Sequence, residues 1–183
     1  MHGNEQVGIM VFNKIQEHKI DFNGRLLGLL GNKSAVAINK RYVDYDLNRV
    51  WTTQKMGQLW EADRISKAED GELKELKYYI DGFFDQAIGR KVLIDLHATS
   101  SGDGNFIVIP EDESNHPIVK ALHHPIVIDL EKYIEGTLLD YYHNQGVVSF
   151  AFEGGLIGSP RALQLHEAGL WETLKVAGSY RQS

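Results

Sequence analysis

The chain has 183 residues, of which 43% are hydrophobic and 24% are charged, a composition typical of one globular domain and not of a disordered or fibrous protein. Its 19 Lys and Arg against 25 Asp and Glu leave a formal net charge of −6, and no basic cluster is long enough to follow a phosphate backbone. The absence of cysteine excludes disulfides, thiolate zinc ligands and a cysteine nucleophile. No apolar run is long enough to cross a bilayer, and the first residues do not resemble a signal peptide. We therefore expect no nucleic-acid or membrane partner, with the cytoplasm as the favoured compartment.

Short apolar segments alternate with amphipathic stretches along the chain. In chain order, the predicted elements are a helix over 7–18, a strand over 24–32, a helix over 71–88, strands over 90–96, 105–110 and 124–130, a helix over 131–144, a strand over 146–152 and a helix over 160–177. The polar stretches 51–70 and 111–117 are interpreted as surface connections. This order predicts an α/β layer fold with a largely parallel or mixed sheet, whose functional residues lie at the strand ends.

Two short motifs contain residue types that bind metal ions. His2 and Glu5 stand three residues apart, close enough on one turn to hold one ion, although such a pair is more commonly solvated. His97 follows a buried strand and precedes a loop of small residues that permits close approach of a ligand. The alternative for His97 is an imidazole whose N–H bonds the backbone. Four other histidines are interpreted as helix caps or solvent-facing groups: His18, His116, His143 and His166.

A cluster of charged and amide side chains spans residues 41–49. It contains Arg41, Asn48 and Arg49 together with two aspartates. Because guanidinium groups bind carboxylates through paired hydrogen bonds and an amide adds a further donor, the cluster indicates recognition of an anion. The alternative is a solvated turn whose local ion pairs contribute little to stability.

A carboxylate stands at the end of the most apolar predicted strand. Glu153 follows Phe150 and Phe152 and precedes two glycines, which leave open backbone space for a substrate. Apolar neighbours disfavour the ionised form of a carboxyl group, so we expect a raised pKa and a role as a general base. The alternative is a strand-terminal acid that points into water.

Taken in order, these segments resemble the succinylglutamate desuccinylase and aspartoacylase family, which belongs among the zinc carboxypeptidase-like hydrolases. The resemblance extends from residue 2 to about residue 178. The segments that carry it are His2-Gly3-Asn4-Glu5, Gly31-Asn32 with Ala35 and Asn39, Arg41-Tyr42-Val43-Asp44-Tyr45-Asp46-Leu47-Asn48-Arg49, Asp95-Leu96-His97-Ala98-Thr99 and Phe152-Glu153-Gly154-Gly155. The resemblance implies a three-layer α/β/α fold with a central mixed, largely parallel sheet.

The resemblance also implies a role for seven residues. Three of them match the ligands of one zinc ion per chain, with the fourth position left for water: His2, Glu5 and His97. Glu153 matches the catalytic carboxylate, and Arg41 matches the arginine that polarises the scissile carbonyl. Asn48 and Arg49 match the pair that binds a substrate carboxylate.

The reaction implied by this set is amide hydrolysis of an N-acyl amino acid or a similar small carboxylate-bearing amide. In such a reaction Glu153 accepts a proton from zinc-activated water and delivers it to the leaving amine. Two alternatives stay open. The same residues would serve a metallocarboxypeptidase that acts on short peptides, or the chain would be a non-catalytic remnant that binds carboxylates through Asn48 and Arg49.

The sequence departs from the family at both ends. Only Met1 precedes His2, where relatives have a strand and a turn, and the chain stops before the C-terminal β domain that many relatives carry. We therefore interpret residues 1–183 as a single catalytic domain without that first strand and without that β domain. An incomplete sheet edge favours pairing with a second copy, so a homo-oligomer is one expected assembly.

Overall fold

The computed structural model of the chain describes residues 1–18, 22–62, 64–100, 102, 104–128, 130 and 133–179. The helices of this part of the chain are α1 (Val7–Glu17), α2 (Lys33–Ala37), α3 (Thr53–Glu61), α4 (Ala68–Asp85), α5 (Pro117–Ala121), α6 (Leu138–His143) and α7 (Pro160–Val176). The strands are β1 (Val92–Thr99), β2 (Asn105–Ile109), β3 (Ile126–Ile128) and β4 (Val148–Leu156). Two short 3-10 helices cover Leu47–Arg49 and Glu111–Asn115.

The four strands form one mixed sheet in the order β1-β4-β2-β3. β1 is parallel to β4 and β2 is parallel to β3, whereas β2 and β4 are antiparallel. Two of the three strand pairs are therefore parallel, and the prediction of an α/β fold with a mixed, largely parallel sheet is confirmed.

Helices cover both faces of this sheet. Leu93 belongs to a buried cluster with α3, α4 and α6, whereas the adjacent Ile94 packs against a cluster formed by α1 and α7. Because successive strand residues point to opposite faces, these clusters lie on opposite sides of the sheet. The same alternation directs Asp95 and His97 to the face of Leu93, on the side of α4 and α6.

The strand predicted over 24–32 is wrong. Residues 25–31 form neither helix nor strand, and the side chains of four leucines in this segment remain 37–42% exposed: Leu26, Leu27, Leu29 and Leu30. The segment and β1 line a common cavity of about 350 Å³. A strand needs backbone hydrogen bonds to a neighbouring strand, and here a cavity adjoins the segment instead of a paired backbone.

Other predicted elements differ from the structure at their ends. α3 lies within the stretch interpreted as a surface connection. Thr52 caps this helix by accepting a hydrogen bond from the N–H of Lys55, and the helix buries Met56 and Leu59. The 111–117 stretch contains a 3-10 helix and the start of α5. The helix predicted over 131–144 is shorter, α6, and positions 129, 131 and 132 of the predicted strand and helix lie outside the described residues. None of the helices in the described ranges is long and apolar enough to cross a membrane.

Candidate active site

The turn that carries His2 and Glu5 packs directly on α2. A Cβ atom at Gly3 would lie 2.2 Å from the carbonyl carbon of Ala35, so this close approach requires glycine. Asn32 caps α2 by accepting a hydrogen bond from the N–H of Ala35, and its φ of 53° lies in the left-handed region that asparagine tolerates. Gly3 and Asn32 thus fix the position of the backbone that carries His2 and Glu5.

His2, Glu5 and His97 converge in one buried cluster. The Nδ1 atom of His2 lies 2.8 Å from Oε1 of Glu5, and the Nδ1 atom of His97 lies 2.8 Å from Oε2 of the same carboxylate. The two imidazole centroids are 4.9 Å apart. One potential ligand atom from each residue lies within 4.8 Å of the others. The structure therefore brings together two residues from the N-terminal turn and one from β1, as expected for the ligands of one ion.

The Nε2 atom of each imidazole is hydrogen-bonded to one further carboxylate. The Nε2 atom of His2 lies 3.0 Å from Oδ1 of Asp46, and the Nε2 atom of His97 lies 2.7 Å from Oδ2 of Asp95. Metal-binding histidines commonly donate their second N–H to a carboxylate, which fixes the tautomer and the ring orientation. Both rings accordingly present Nδ1 to the centre of the cluster, and this donor set fits a divalent cation.

The electrostatics of the cluster favour a cation at its centre. Burial alone would raise the pKa of Glu5, but hydrogen bonds from His2 and His97 hold it well below its usual value. Burial would lower the pKa of His97, whereas the charge of Asp95 and hydrogen bonds to Asp95 and Glu5 raise it to about 10. Glu5 is therefore ionised at neutral pH, and a strongly negative environment surrounds both imidazoles.

Arg41 lies at the open side of this cluster. Its Nε and Nη2 atoms donate to Oδ2 of Asp46 at 3.0 and 2.9 Å, and Nη1 lies 3.5 Å from Oε1 of Glu5. The side chain of Arg41 is 42% exposed. Its guanidinium group is thus held in place by a carboxylate while one edge stays accessible from the cavity.

Asn48 and Arg49 occupy the 3-10 helix beside the ligands, but their surroundings differ. Asn48 is buried: its Oδ1 accepts a hydrogen bond from the N–H of Leu138 at 2.8 Å, and its Nδ2 lies 3.4 Å from both Oδ2 of Asp95 and Nε2 of His97. Arg49 is exposed, and its Nη1 donates to the carbonyl of Asn48 at 2.6 Å. The amide of Asn48 is therefore largely occupied by contacts within the protein, and Arg49 is the more accessible of the two residues.

Glu153 lies next to His97 on the same face of the sheet. The two residues are direct partners in the register of β1 and β4, and Phe106 of β2 is the partner of Glu153 on its other side. Glu153 is half-buried, and burial raises its pKa, with the charges of Glu5 and Asp95 acting in the same direction against that of His97. A raised pKa is the property that a carboxylate needs to act as a general base near neutral pH.

The strand register breaks directly after Glu153. His97 pairs with Glu153 but Thr99 pairs with Leu156, so β4 contains an extra residue at the glycine pair. Gly155 has a φ of 87° and donates its N–H to the carbonyl of Gly104 at 2.7 Å. Such a bulge re-aims the side chains beside it, and here it directly follows the pairing of Glu153 with His97 and Phe106.

One cavity of about 460 Å³ joins all these groups. Its lining includes every residue singled out from the sequence: His2, Glu5, Arg41, Asn48, Arg49, His97 and Glu153. Residues separated by about 150 positions in the sequence thus meet at a single concave site, whose size is that of a small-molecule pocket.

Comparison with known proteins agrees with this geometry. A sequence profile described as the succinylglutamate desuccinylase/aspartoacylase catalytic domain matches residues 1–168. The chain belongs to this family. A probable aspartoacylase from Nostoc sp. is 30% identical over 113 residues, which cover 59% of this chain and 36% of that protein. A succinylglutamate desuccinylase from Shewanella woodyi is 29% identical over 108 residues, which cover 56% of this chain and 30% of that protein. The chain thus spans about a third of these two relatives.

Solved structures of similar proteins have the same fold. The succinylglutamate desuccinylase from Chromobacterium violaceum matches with a TM-score of 0.74 at 22% identity, covering 98% of this chain and 62% of that chain. Murine aminoacylase 3 matches with a TM-score of 0.65 at 18% identity, covering 97% of this chain and 60% of that chain. At these identities the similarity establishes the α/β architecture and not the substrate.

Three further residues that contact the candidate site residues were not assigned to the site from the sequence: Asp46, Asp95 and His166. Asp46 and Asp95 lie inside the recognised motifs, and the i, i+2 spacing of Asp95 and His97 on one strand face was a usable signal. His166 is different, because its interpretation as a cap or solvent-facing group is wrong. It is fully buried, its Nε2 lies 2.9 Å from the carbonyl oxygen of His97, and its Nδ1 lies 2.8 Å from that of Ala162. Only tertiary packing brings α7 beneath the strands in this way.

Proposed function

We propose that this chain hydrolyses the amide bond of an N-acyl amino acid, with one zinc ion per chain and Glu153 as the general base. The observation that carries the proposal is the common cavity, in which a buried His2, Glu5 and His97 cluster lies beside Glu153 and Arg41. Membership of a family that includes proteins named aspartoacylase and succinylglutamate desuccinylase supports a deacylase of acylated amino acids.

Zinc would be held by His2, Glu5 and His97, whose donor set of two imidazoles and one carboxylate suits that ion. When bound, such an ion polarises a carbonyl oxygen and lowers the pKa of a water molecule to about 7. Asp46 and Asp95 keep the two Nδ1 atoms directed at the centre of the cluster. They therefore maintain the ligand geometry through every step of the reaction.

Glu153 would move the proton. It accepts a proton from the attacking water as the oxygen–carbon bond forms, and it delivers that proton to the amine nitrogen as the carbon–nitrogen bond breaks. The raised pKa makes Glu153 a stronger base than an exposed carboxylate. Phe106, the cross-strand partner of Glu153 on β2, places an apolar side chain beside the carboxylate.

The two arginines would bind the two groups of the substrate that carry or develop negative charge, namely the amino-acid carboxylate and the carbonyl oxygen. Arg41, anchored by Asp46, is positioned to stabilise the negative charge that develops on the carbonyl oxygen. Arg49 would bind the carboxylate of the amino acid, while Asn48 supports that segment from beneath. Fixing the carboxylate orients the scissile carbonyl toward the ligand cluster.

The test combines metal content with amine release. We expect mass spectrometry to find about one zinc per chain, lost in His97→Ala, and hydrolysis of N-acyl amino acids by the zinc-loaded protein. Glu153→Gln is the matched control, because it should keep zinc and lose activity. Faster cleavage of short peptides from their C-terminus would identify a metallocarboxypeptidase instead. A protein that binds no metal after zinc is added would contradict the hydrolase and leave a carboxylate-binding remnant.

A further inference from the structure

Glu69 is a fully buried residue that the proposed reaction does not use. It is the second residue of α4, where the N-terminus of the helix favours a carboxylate. A buried carboxylate is costly unless hydrogen-bond donors compensate it, and three N–H groups do so here. Its Oε1 accepts hydrogen bonds from the backbone of Val43 at 2.7 Å and from Nδ2 of Asn32 at 3.2 Å. Its Oε2 accepts one from the backbone of Asp44 at 3.0 Å. Glu69 thus joins two segments that lie outside its own helix.

The bond to Asn32 connects Glu69 to the support of the metal-ligand turn. Asn32 begins α2, and the turn that carries two of the proposed zinc ligands packs on this helix at Gly3. The same turn is bonded to the arginine segment, because the N–H of Gly3 donates to the carbonyl of Arg41 at 3.2 Å. Glu69 is therefore bonded to the structure that holds the ligands from below.

The other two donors belong to the segment between Arg41 and Asp46. This segment is also bonded back to α4, since Oδ2 of Asp44 accepts a hydrogen bond from the N–H of Ala68 at 2.8 Å. Such a reciprocal pair resembles a capping box, in which two residues satisfy each other's N–H groups and fix the start of a helix. The first turn of α4 therefore holds the segment whose aspartate, Asp46, orients both a ligand and the arginine.

We propose that Glu69 is a positioning residue, which sets Asp46 and Arg41 against the metal-ligand turn and affects zinc binding through Asp46. This inference rests on the proposed function, because it concerns the same zinc site. Both oxygens of Glu69 accept hydrogen bonds from N–H groups, and an amide has one oxygen and an NH2 group that cannot accept. Glu69→Gln keeps the size of the side chain but breaks at least one of these bonds, so the backbone at Val43 and Asp44 would move.

A double-mutant cycle tests this role. Zinc affinity, measured by competition with a chelator, should fall about tenfold in Glu69→Gln. In a protein that already carries Asp46→Asn, the same change should lower the affinity less than about twofold, because its effect passes through Asp46. Asp81→Asn is the matched control. It removes an acid of α4 that accepts a hydrogen bond from the buried Tyr142, so it should lower the melting temperature and leave zinc affinity unchanged.

Equal zinc affinities of wild type and Glu69→Gln, or an equal loss in both backgrounds, would overturn the positioning role. Thermal melting verifies folding. If Glu69→Gln does not fold, Asp44→Ala, which removes the reciprocal hydrogen bond from an exposed position, takes its place in the cycle with the same expected pattern. A wild-type protein that binds zinc and cleaves no N-acyl amino acid would overturn the hydrolase, whereas the cycle would still support the positioning role. Absence of zinc binding by the wild type would overturn both.

Discussion

Asp46 connects the metal-ligand cluster to Arg41, because its Oδ1 lies 3.0 Å from Nε2 of His2 while its Oδ2 accepts two hydrogen bonds from that arginine. One carboxylate thus orients a proposed zinc ligand and the proposed oxyanion-binding group. Burial raises the pKa of Asp46, but the hydrogen bond from His2 and the charges of His2 and Arg41 hold it well below its usual value. Asp46 therefore remains ionised across the physiological pH range.

The first prediction concerns Asp46→Asn. An amide keeps the shape but removes the charge that orients His2, so we expect zinc affinity to fall about 10- to 100-fold, as for other outer carboxylates of metal sites. Competition with a chelator measures this affinity. Glu75→Gln, which removes an acid that pairs with Lys33 at the surface, is the matched control and should leave it unchanged. Equal affinities for the two variants would contradict the orienting role of Asp46.

The second prediction concerns Glu153→Gln. Loss of the general base should lower kcat by about 10²- to 10⁴-fold while the zinc content stays the same. A general base must be ionised, so the wild-type pH–rate profile should have an acidic limb that reports the pKa of Glu153, which burial raises. Stopped or continuous assays of amine release between pH 4.5 and 8 measure this limb. Retention of full activity by the variant would remove Glu153 from the mechanism.

The same raised pKa predicts an effect on stability. Because folding raises the pKa of Glu153, the stability contributed by its protonated form is present below pH 4.5 and is lost as pH rises through the folded value. Glutamine resembles the protonated form at every pH. Without bound zinc, Glu153→Gln should therefore melt at a higher temperature than wild type at pH 7.5, and the difference should shrink toward pH 4.5. A pH-independent difference in Tm would mean that folding does not shift this pKa.

The third prediction concerns the packing of Gly154, which follows Glu153 in β4, against His166. A Cβ at Gly154 would lie 2.3 Å from the imidazole of His166, which is held between the carbonyls of His97 and Ala162 and cannot move away. Gly154→Ala should destabilise the protein by about 1–3 kcal/mol through overpacking. Gly82→Ala in α4 is the control, because a Cβ there meets nothing within 4 Å and should stabilise the helix by about 0.5–1 kcal/mol. Urea unfolding compares the two, and similar effects would disprove the clash.

The sequence predicted the seven candidate site residues but not the residues that hold them in place. The seven candidate residues were found because each chemical type stands in a short motif whose order in the chain is preserved, and all seven line one cavity. Asp46 received no role, because its contact with His2 joins positions 44 residues apart. His166 carried no local signal at all, since its burial depends on α7 lying against the backbone of His97.

The error in the sheet has a different origin. The segment 24–32 is as apolar as a strand, and Leu26, Leu27, Leu29 and Leu30 have the composition of one. A strand requires backbone hydrogen bonds to a neighbouring strand, however, and this segment adjoins a cavity where such a strand would lie. Composition identified an apolar segment here, but only the three-dimensional arrangement determines whether its backbone pairs with a neighbouring strand.

The last prediction separates binding from chemistry at Arg49. Its guanidinium group is exposed and lines the cavity, so Arg49→Ala should weaken binding of the substrate carboxylate without changing the ligand cluster. A charged hydrogen bond contributes about 1.5–3 kcal/mol, so we expect KM for an N-acyl amino acid to rise about 10- to 100-fold with a smaller change in kcat. For the matching N-acyl amino acid amide, which has no carboxylate, the variant and wild type should be nearly equal. Arg161→Ala, at an exposed position of α7 outside the cavity, should change KM for neither substrate. A uniform loss of kcat on both substrates would instead assign Arg49 to the reacting carbonyl.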